Sequence, residues 1–525
     1  MKTQSTNKTS WKPWGDLFLP IALALIFFAF TFSYYPFREK LQFDSDEGLN
    51  LMRSMLVTLG HPLYREVSSD QPPLFNDLLA ILFRVTGFEV NPARVLVLLF
   101  SMLLVWAGAQ FLQLTSGKLA AILFLPLVIM VPQFLRLSTS VMIGLPSLAL
   151  AAVSMVFVIF WHQKRNSLWL VLSGFALALS VLIKLFTGFV APIFLVGITA
   201  STYLEAREQG FSWKILRPAM IWGVSFASLA LLFGFALVGP QNISAITSPH
   251  IAAPVTEELA GSGYTMNAHL RAAVPLLILG GVGAAFSIYW RNWFVLYPLA
   301  WVALAYVLFS FYSPVFYHHQ LLITIPVTML AAAGVGEGML LLSRLRSSAD
   351  FMRVQIWFGA GAVIGFILVS IYYWPALDRD LMNSPRLTDF SLRATSGKLR
   401  VIRTMSENID QTNWIMTDMP MYAFRVGRPV PPNVATFSSK RLATGSLTEE
   451  DILTAMRDYE PEQVLMARFQ IPALEAYLQE HYTLILSVEF FRLFLRNDLL
   501  PVAEQKCLSC CILFRWAAND TYHTP

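Results

Sequence analysis

Charge is scarce in this chain. Of its 525 residues only 14% are Asp, Glu, Lys or Arg, against 56% apolar, whereas soluble domains carry roughly a quarter charged residues. That balance excludes a soluble globular protein. Cysteine is nearly missing too: Cys507, Cys510 and Cys511 all fall close to the C-terminal end. No disulfide framework can therefore staple the rest, and with no His pair near them these cysteines give only a weak metal signal. Nor is there a large excess of one charge. A net +5 is too mild, and too confined to loops, to make nucleic acid a partner. Internal repeats and low-complexity segments are lacking as well.

What the chain does have is long apolar runs. About eleven are long enough to be membrane spans, near 15–36, 92–113, 118–135, 139–161, 168–185, 187–204, 217–239, 271–289, 293–312, 318–342 and 354–375. The first, Leu17 to Tyr35, lacks a small-residue cleavage site and reads as an anchor, not a cleaved signal. Basic residues fall in alternate loops: Lys2, Lys8 and Lys12, then Lys118, Lys164 with Arg165, Lys214 with Arg217, Arg291, and Arg344 with Arg346. The positive-inside rule then predicts a multi-pass plasma-membrane protein with its N-terminus in the cytoplasm. An odd number of spans sends residues 376–525 to the outer face. There charge and proline rise and short strand-like runs appear at Trp414–Thr417, Gln463–Ala467 and Tyr482–Arg496. A capping box at Thr448 opens a helix to about Tyr459, and Pro472–Glu480 reads as another. The expected fold is thus a polytopic α-helical membrane domain over 1–375 and a small C-terminal extracytoplasmic α/β domain over 376–525.

Between the first two spans, the outer loop 37–91 gathers Asp44, Asp46, Glu47 and Asp70. Leu49, Met52, Leu56 and Leu59 are spaced for an amphipathic helix, capped by Asp44 or Ser45 and stopped at Gly60. Asp70-Gln71-Pro72-Pro73 opens a second such helix, whose first-turn amides are free to meet an anion. Acidic residues at helix starts also suit the helix dipole without further purpose. The combination of an Asp-x-Asp-Glu and a later Asp-x-Pro-Pro between two spans is more specific.

That combination resembles the glycosyltransferase-C superfamily, in the branch of protein O-mannosyltransferases and lipid A aminoarabinose transferases. Asp46-Glu47 matches the family's acidic pair after the first span. Gly60-His61-Pro62-Leu63-Tyr64 matches its next segment, and Asp70-Gln71-Pro72-Pro73 its acidic or polar residue before Pro-Pro. Relatives often carry Lys or His where this chain has Gln71. The resemblance implies a membrane glycosyltransferase with roughly this architecture. It would move a monosaccharide from a polyprenyl-phosphate donor to an extracytoplasmic acceptor in one inverting displacement; no cofactor is expected, and the residues lack the ligand spacing of a metal site.

Asp46 is the expected base, because the resemblance makes the first acid of the pair catalytic, and Asp70 the second catalytic candidate. Asp44, Glu47 and Gln71 are expected around the donor. Lys184, at the end of the fifth span, suits either a lipid phosphate or the lipid headgroups. Arg94 opens the second span and suits either a loop carboxylate or the donor. His318 and His319 open the tenth span; as adjacent helical residues they point in different directions. His250 lies in the loop 240–270 and is the one further candidate, too little for a metal site. A transporter is the alternative reading. It calls for ionisable residues at mid-membrane and often for inverted repeats, whereas here they crowd the outer ends.

Overall fold

Helix α1 (Gly15–Tyr34) is apolar almost throughout and opens the computed structural model, which describes residues 15–206, 213–244, 246, 265–312, 314–344, 353–382 and 397–500. Among the described residues nine helices are long and apolar enough to cross a membrane, and two shorter apolar ones span Lys118–Ile129 and Leu168–Ile183. They match the expected apolar runs one for one. Two amphipathic helices, α2 (Ser45–Thr58) and α3 (Leu74–Thr86), stand between α1 and α4 (Val90–Thr115). The helices that carry the site further on are α5 (Gly144–Lys164), α6 (Leu168–Ile183), α7 (Ala191–Ala206), α8 (Val274–Tyr289), α9 (Leu296–Phe311) and α10 (Leu321–Arg344).

Between α6 and α7 the helical backbone breaks. Lys184 is extended (φ −150°, ψ 118°) and leads into a tighter 3-10 turn, Leu185–Val190. Non-helical backbone inside a bilayer needs its polar groups satisfied, and side chains do this. Thr187 Oγ1 donates to the Lys184 carbonyl at 2.9 Å, and Ser180 Oγ donates to Thr187 Oγ1 at 2.8 Å. Elsewhere small residues set the packing. Gly283 of α8 and Gly334 of α10 face each other so closely that a Cβ on Gly334 would strike the Gly283 backbone, the small-residue contact by which membrane helices approach.

The C-terminal part is an α/β unit. Strands β1 (Ile415–Thr417), β2 (Gln463–Met466), β3 (Tyr482–Val488) and β4 (Phe491–Arg496) form one sheet in the order β1-β2-β4-β3. β1 and β2 are parallel, and the other pairs antiparallel. The expected single run 482–496 is in fact a hairpin, turned at Glu489 with φ 53°. The helix after Thr448 carries its box: Thr448 N–H donates to Asp451 Oδ2 at 2.8 Å and Asp451 N–H to Thr448 Oγ1 at 3.1 Å.

One expectation about α2 changes. The spacing predicts one apolar face, yet Glu47 to Leu56 are all buried, while Leu59 is 48% exposed. The reason is the C-terminal unit, which covers the side of α2 turned from the membrane helices. Met52, Met55 and Leu56 share one hydrophobic cluster with Met421, Tyr422, Phe424 and Phe437. At the closest point a Cβ on Gly48 would lie 2.6 Å from the Met421 nitrogen. The acidic loop and the C-terminal unit therefore stand at the same end of the membrane helices and share a core.

Candidate active site

Asp44 caps α2. Its Oδ1 accepts from the Asp46 amide at 3.0 Å, and its Oδ2 accepts from the Tyr317 hydroxyl at 2.7 Å. The Tyr317 ring lies under the Arg136 guanidinium, 5.1 Å from its centroid, and Arg136 also donates to the Phe43 carbonyl. Arg136 thereby braces this loop. Asp44 is consumed by anchoring and is not among the residues lining the cavity described below.

Glu47 and Arg94 turn to each other. Both side chains are fully buried, and Arg94 Nε and Nη2 donate to the two Glu47 oxygens at 2.8 and 2.9 Å. The rest of the guanidinium donates to the Phe37 and Lys40 carbonyls at 2.6 and 2.7 Å. Glu47 also accepts from the amides of Phe43 (2.9 Å) and Val141 (3.3 Å). This bidentate, saturated pair ties the loop to α4, and neither member lines the cavity. Of the two expectations for Arg94 the structure gives the loop carboxylate, and Glu47, expected around the donor, has every strong hydrogen-bonding direction taken inside the protein.

Asp46 faces the other way. It lines a cavity of about 640 Å³ together with Asp70, Gln71, Lys184, His318 and His319. These six come from four separate stretches of chain, and sequence reading had named them all. Among the described residues no side chain hydrogen-bonds the Asp46 carboxylate. Burial, then the nearby Asp44 and Asp70 charges, raise its pKa to about 6, against the opposing pull of Arg53 and Lys184. Asp70 lies across from it, with Oδ1 3.8 Å from Arg53 Nη2.

Lys184 owes its place to the helix break. It is 5% exposed, lines the cavity, and its ammonium has no ion pair with a described residue. His318 also lines the cavity, with a buried Nδ1 that has no hydrogen-bond partner among the described residues. His319 is held instead: its Nδ1 accepts from the Phe316 amide at 3.1 Å, and its ring stacks on Phe309 at 5.0 Å. The cavity lining stops at Gln71 along this stretch, so the amides after Pro73 do not reach it. His250 lies outside the described residues.

Sequence reading missed Arg53, Tyr64 and Arg441, which also line the cavity, as does Arg468. Arg53 was detectable, since Asp46, Asn50 and Arg53 at i, i+4 and i+7 share one helix face. Its Nε donates to Thr436 Oγ1 at 3.0 Å, so the C-terminal unit fixes it. Tyr64 takes a left-handed backbone (φ 68°) and donates its hydroxyl to the Gln71 carbonyl at 2.7 Å. Arg441 belongs to the C-terminal unit, where burial, then neighbouring Arg53, lowers its pKa to about 10. No local sequence signal points to it.

A polytopic helical domain with a carboxylate- and cation-lined cavity under a small α/β cap is a fold this chain shares with solved membrane proteins. Residues 70–233 match a family model described as dolichyl-phosphate-mannose-protein mannosyltransferase. The chain superposes on ArnT from Cupriavidus metallidurans bound to undecaprenyl phosphate with TM-score 0.56 and 13% identity, covering 92% of this chain and 98% of that one. Its apo state gives TM-score 0.58 over the same shares at the same 13% identity. An oligosaccharyltransferase from Archaeoglobus fulgidus in the apo form gives 0.53 at 13% identity, covering 87% of this chain and 70% of that one. No curated protein matches the chain.

Proposed function

We propose that this protein is an integral membrane glycosyltransferase that moves a monosaccharide from a polyprenyl-phosphate donor to an extracytoplasmic acceptor. One observation carries the reading. Asp46, a carboxylate free of hydrogen bonds to described side chains, lines the same cavity as Lys184, a buried lysine with no ion pair to a described residue. The likeness to ArnT, described as bound to undecaprenyl phosphate, and the match to a dolichyl-phosphate-mannose family model support a lipid-phosphate donor. The charge pattern of the loops supports an extracytoplasmic site.

In this mechanism the acceptor hydroxyl gives its proton to Asp46 as its oxygen forms a bond to the anomeric carbon. The bond from that carbon to the phosphate oxygen breaks on the opposite face, which inverts the centre. The electron pair leaves with the polyprenyl phosphate, whose charge Lys184 and His318 stabilise at the cavity wall. Asp70, beside Arg53, steers the acceptor and supports the base. Glu47 and Arg94 keep the loop that carries Asp46 in place.

The test is transfer from a labelled polyprenyl-phosphate sugar into membrane acceptors. The wild type should transfer, and Asp46→Asn should lose about a hundred- to ten-thousandfold in rate, the usual contribution of a general base. Because Asp46 must be deprotonated and its pKa is raised to about 6, the wild-type rate should fall as pH drops below that value and level off above it. Equal transfer by Asp46→Asn and wild type would remove Asp46 from the mechanism. No transfer from any lipid-phosphate sugar would reject the reading.

A further inference from the structure

A second and larger cavity, about 1420 Å³, lies at the opposite end of the same helices. On α5, Gly144 lines the first cavity and His162 the second; on α10, Leu321 lines the first and Glu337 the second. From Gly144 to His162 the rise is about 27 Å, close to a bilayer's hydrocarbon thickness. One wall is apolar and open to the side, formed by Val196 (68% exposed), Leu204 (68% exposed), Ala303 and Leu304. Tryptophans 290 and 293 and the arginines 165 and 291 stand at its rim. That composition suits the level of lipid headgroups.

The polar wall centres on Glu337. Its Oε2 accepts from Ser287 Oγ and its Oε1 from Asn292 Nδ2, both at 3.1 Å, and Asn292 Nδ2 is also 3.1 Å from the Thr115 carbonyl and from Ser116 Oγ. All these donors are neutral. Among the described residues no cation pairs with Glu337, although carboxylates within spans are costly unless matched. Each oxygen keeps a further lone pair, and Glu337 lines the cavity. The rim arginines have the opposite property: Arg165 spends part of its guanidinium on Glu205 and Ser201, while Arg291 is exposed.

We infer that this cavity binds one phospholipid bearing a primary amine, taken from the leaflet opposite the acidic loop. Its ammonium donates to Glu337, its phosphate lies against Arg291 and Arg165, and its chains follow the apolar wall at Val196, Ala303 and Leu304. An acid and two arginines lining one cavity with an apolar wall open to the bilayer match a zwitterionic headgroup in sign. A purely anionic lipid leaves Glu337 facing a negative headgroup. A quaternary-ammonium lipid offers it no N–H donor.

The experiment uses the full chain in nanodiscs, with lipid retention read by native mass spectrometry in phosphatidylethanolamine, phosphatidylcholine and phosphatidylglycerol at matched chains. One phosphatidylethanolamine should remain per chain, held about tenfold or more better than either other lipid, as a charge-assisted hydrogen bond provides. Glu337→Gln should erase that preference and Ala303→Trp should reduce retention of all three. Both variants should keep the wild-type melting temperature. No preference for phosphatidylethanolamine, a preference that survives Glu337→Gln, or undiminished retention in Ala303→Trp would each overturn the assignment.

Discussion

Asp46 and Glu47 are adjacent in one helical turn and live in different environments. Glu47 looks toward α4 into a dry interior where two arginine nitrogens and two amides saturate it. Asp46 looks into the cavity, where no described side chain hydrogen-bonds it and where Asp44 and Asp70 raise its pKa further than burial alone does. The difference lies in what surrounds each carboxylate, since both are acids at the start of the same helix. A buried charge with every lone pair matched is a structural bolt, and removing its partner strands it. A carboxylate left unmatched beside water and cations can exchange a proton.

Four substitutions would break or sharpen that contrast. Arg94→Met should do the most damage, because it leaves Glu47 buried and charged without its partner. We expect a loss of about 3–5 kcal/mol, read as a large drop in melting temperature and in folded yield. Gly48→Ala, one residue on, presses a methyl group against the Met421 backbone at 2.6 Å. Overpacking of this kind costs about 1–3 kcal/mol, and melting should report it despite alanine's better helix propensity. Lys184→Met sits on the cavity side and should spare melting. It should raise the apparent KM for the lipid donor about tenfold, in keeping with one charge-assisted contact; an unchanged KM would return Lys184 to a merely structural part. Tyr317→Phe should matter least. It removes one hydrogen bond to Asp44, whose cap to the Asp46 amide remains, and a contact of that kind contributes about 1 kcal/mol.

Much of the cavity was readable in the sequence, for a definite reason. Asp46, Asp70, Gln71, Lys184, His318 and His319 are polar residues at the margins of apolar runs, where simple membrane energetics makes them conspicuous. Arg94 and Glu47 were equally conspicuous, but their role was not, because a charge at a span end says nothing about which way it turns. The contact between α2 and the Pro420–Arg425 helix lay beyond reach. It joins Gly48 to Met421 across more than two-thirds of the chain, and neither residue carries a local signal for the other. The same holds for Arg441, which enters the cavity only because the C-terminal unit docks on the acidic loop.

The division of labour between neighbouring carboxylates is open to one direct measurement: thermal melting and single-turnover transfer from a polyprenyl-phosphate sugar, on Asp46→Asn and Glu47→Gln purified side by side. Asp46→Asn should melt with the wild type and lose nearly all transfer. Glu47→Gln should melt well below both, and the fraction that remains folded should still transfer. If Asp46→Asn instead melts early while its folded fraction transfers at the wild-type rate, Asp46 is structural and the proposed base is wrong.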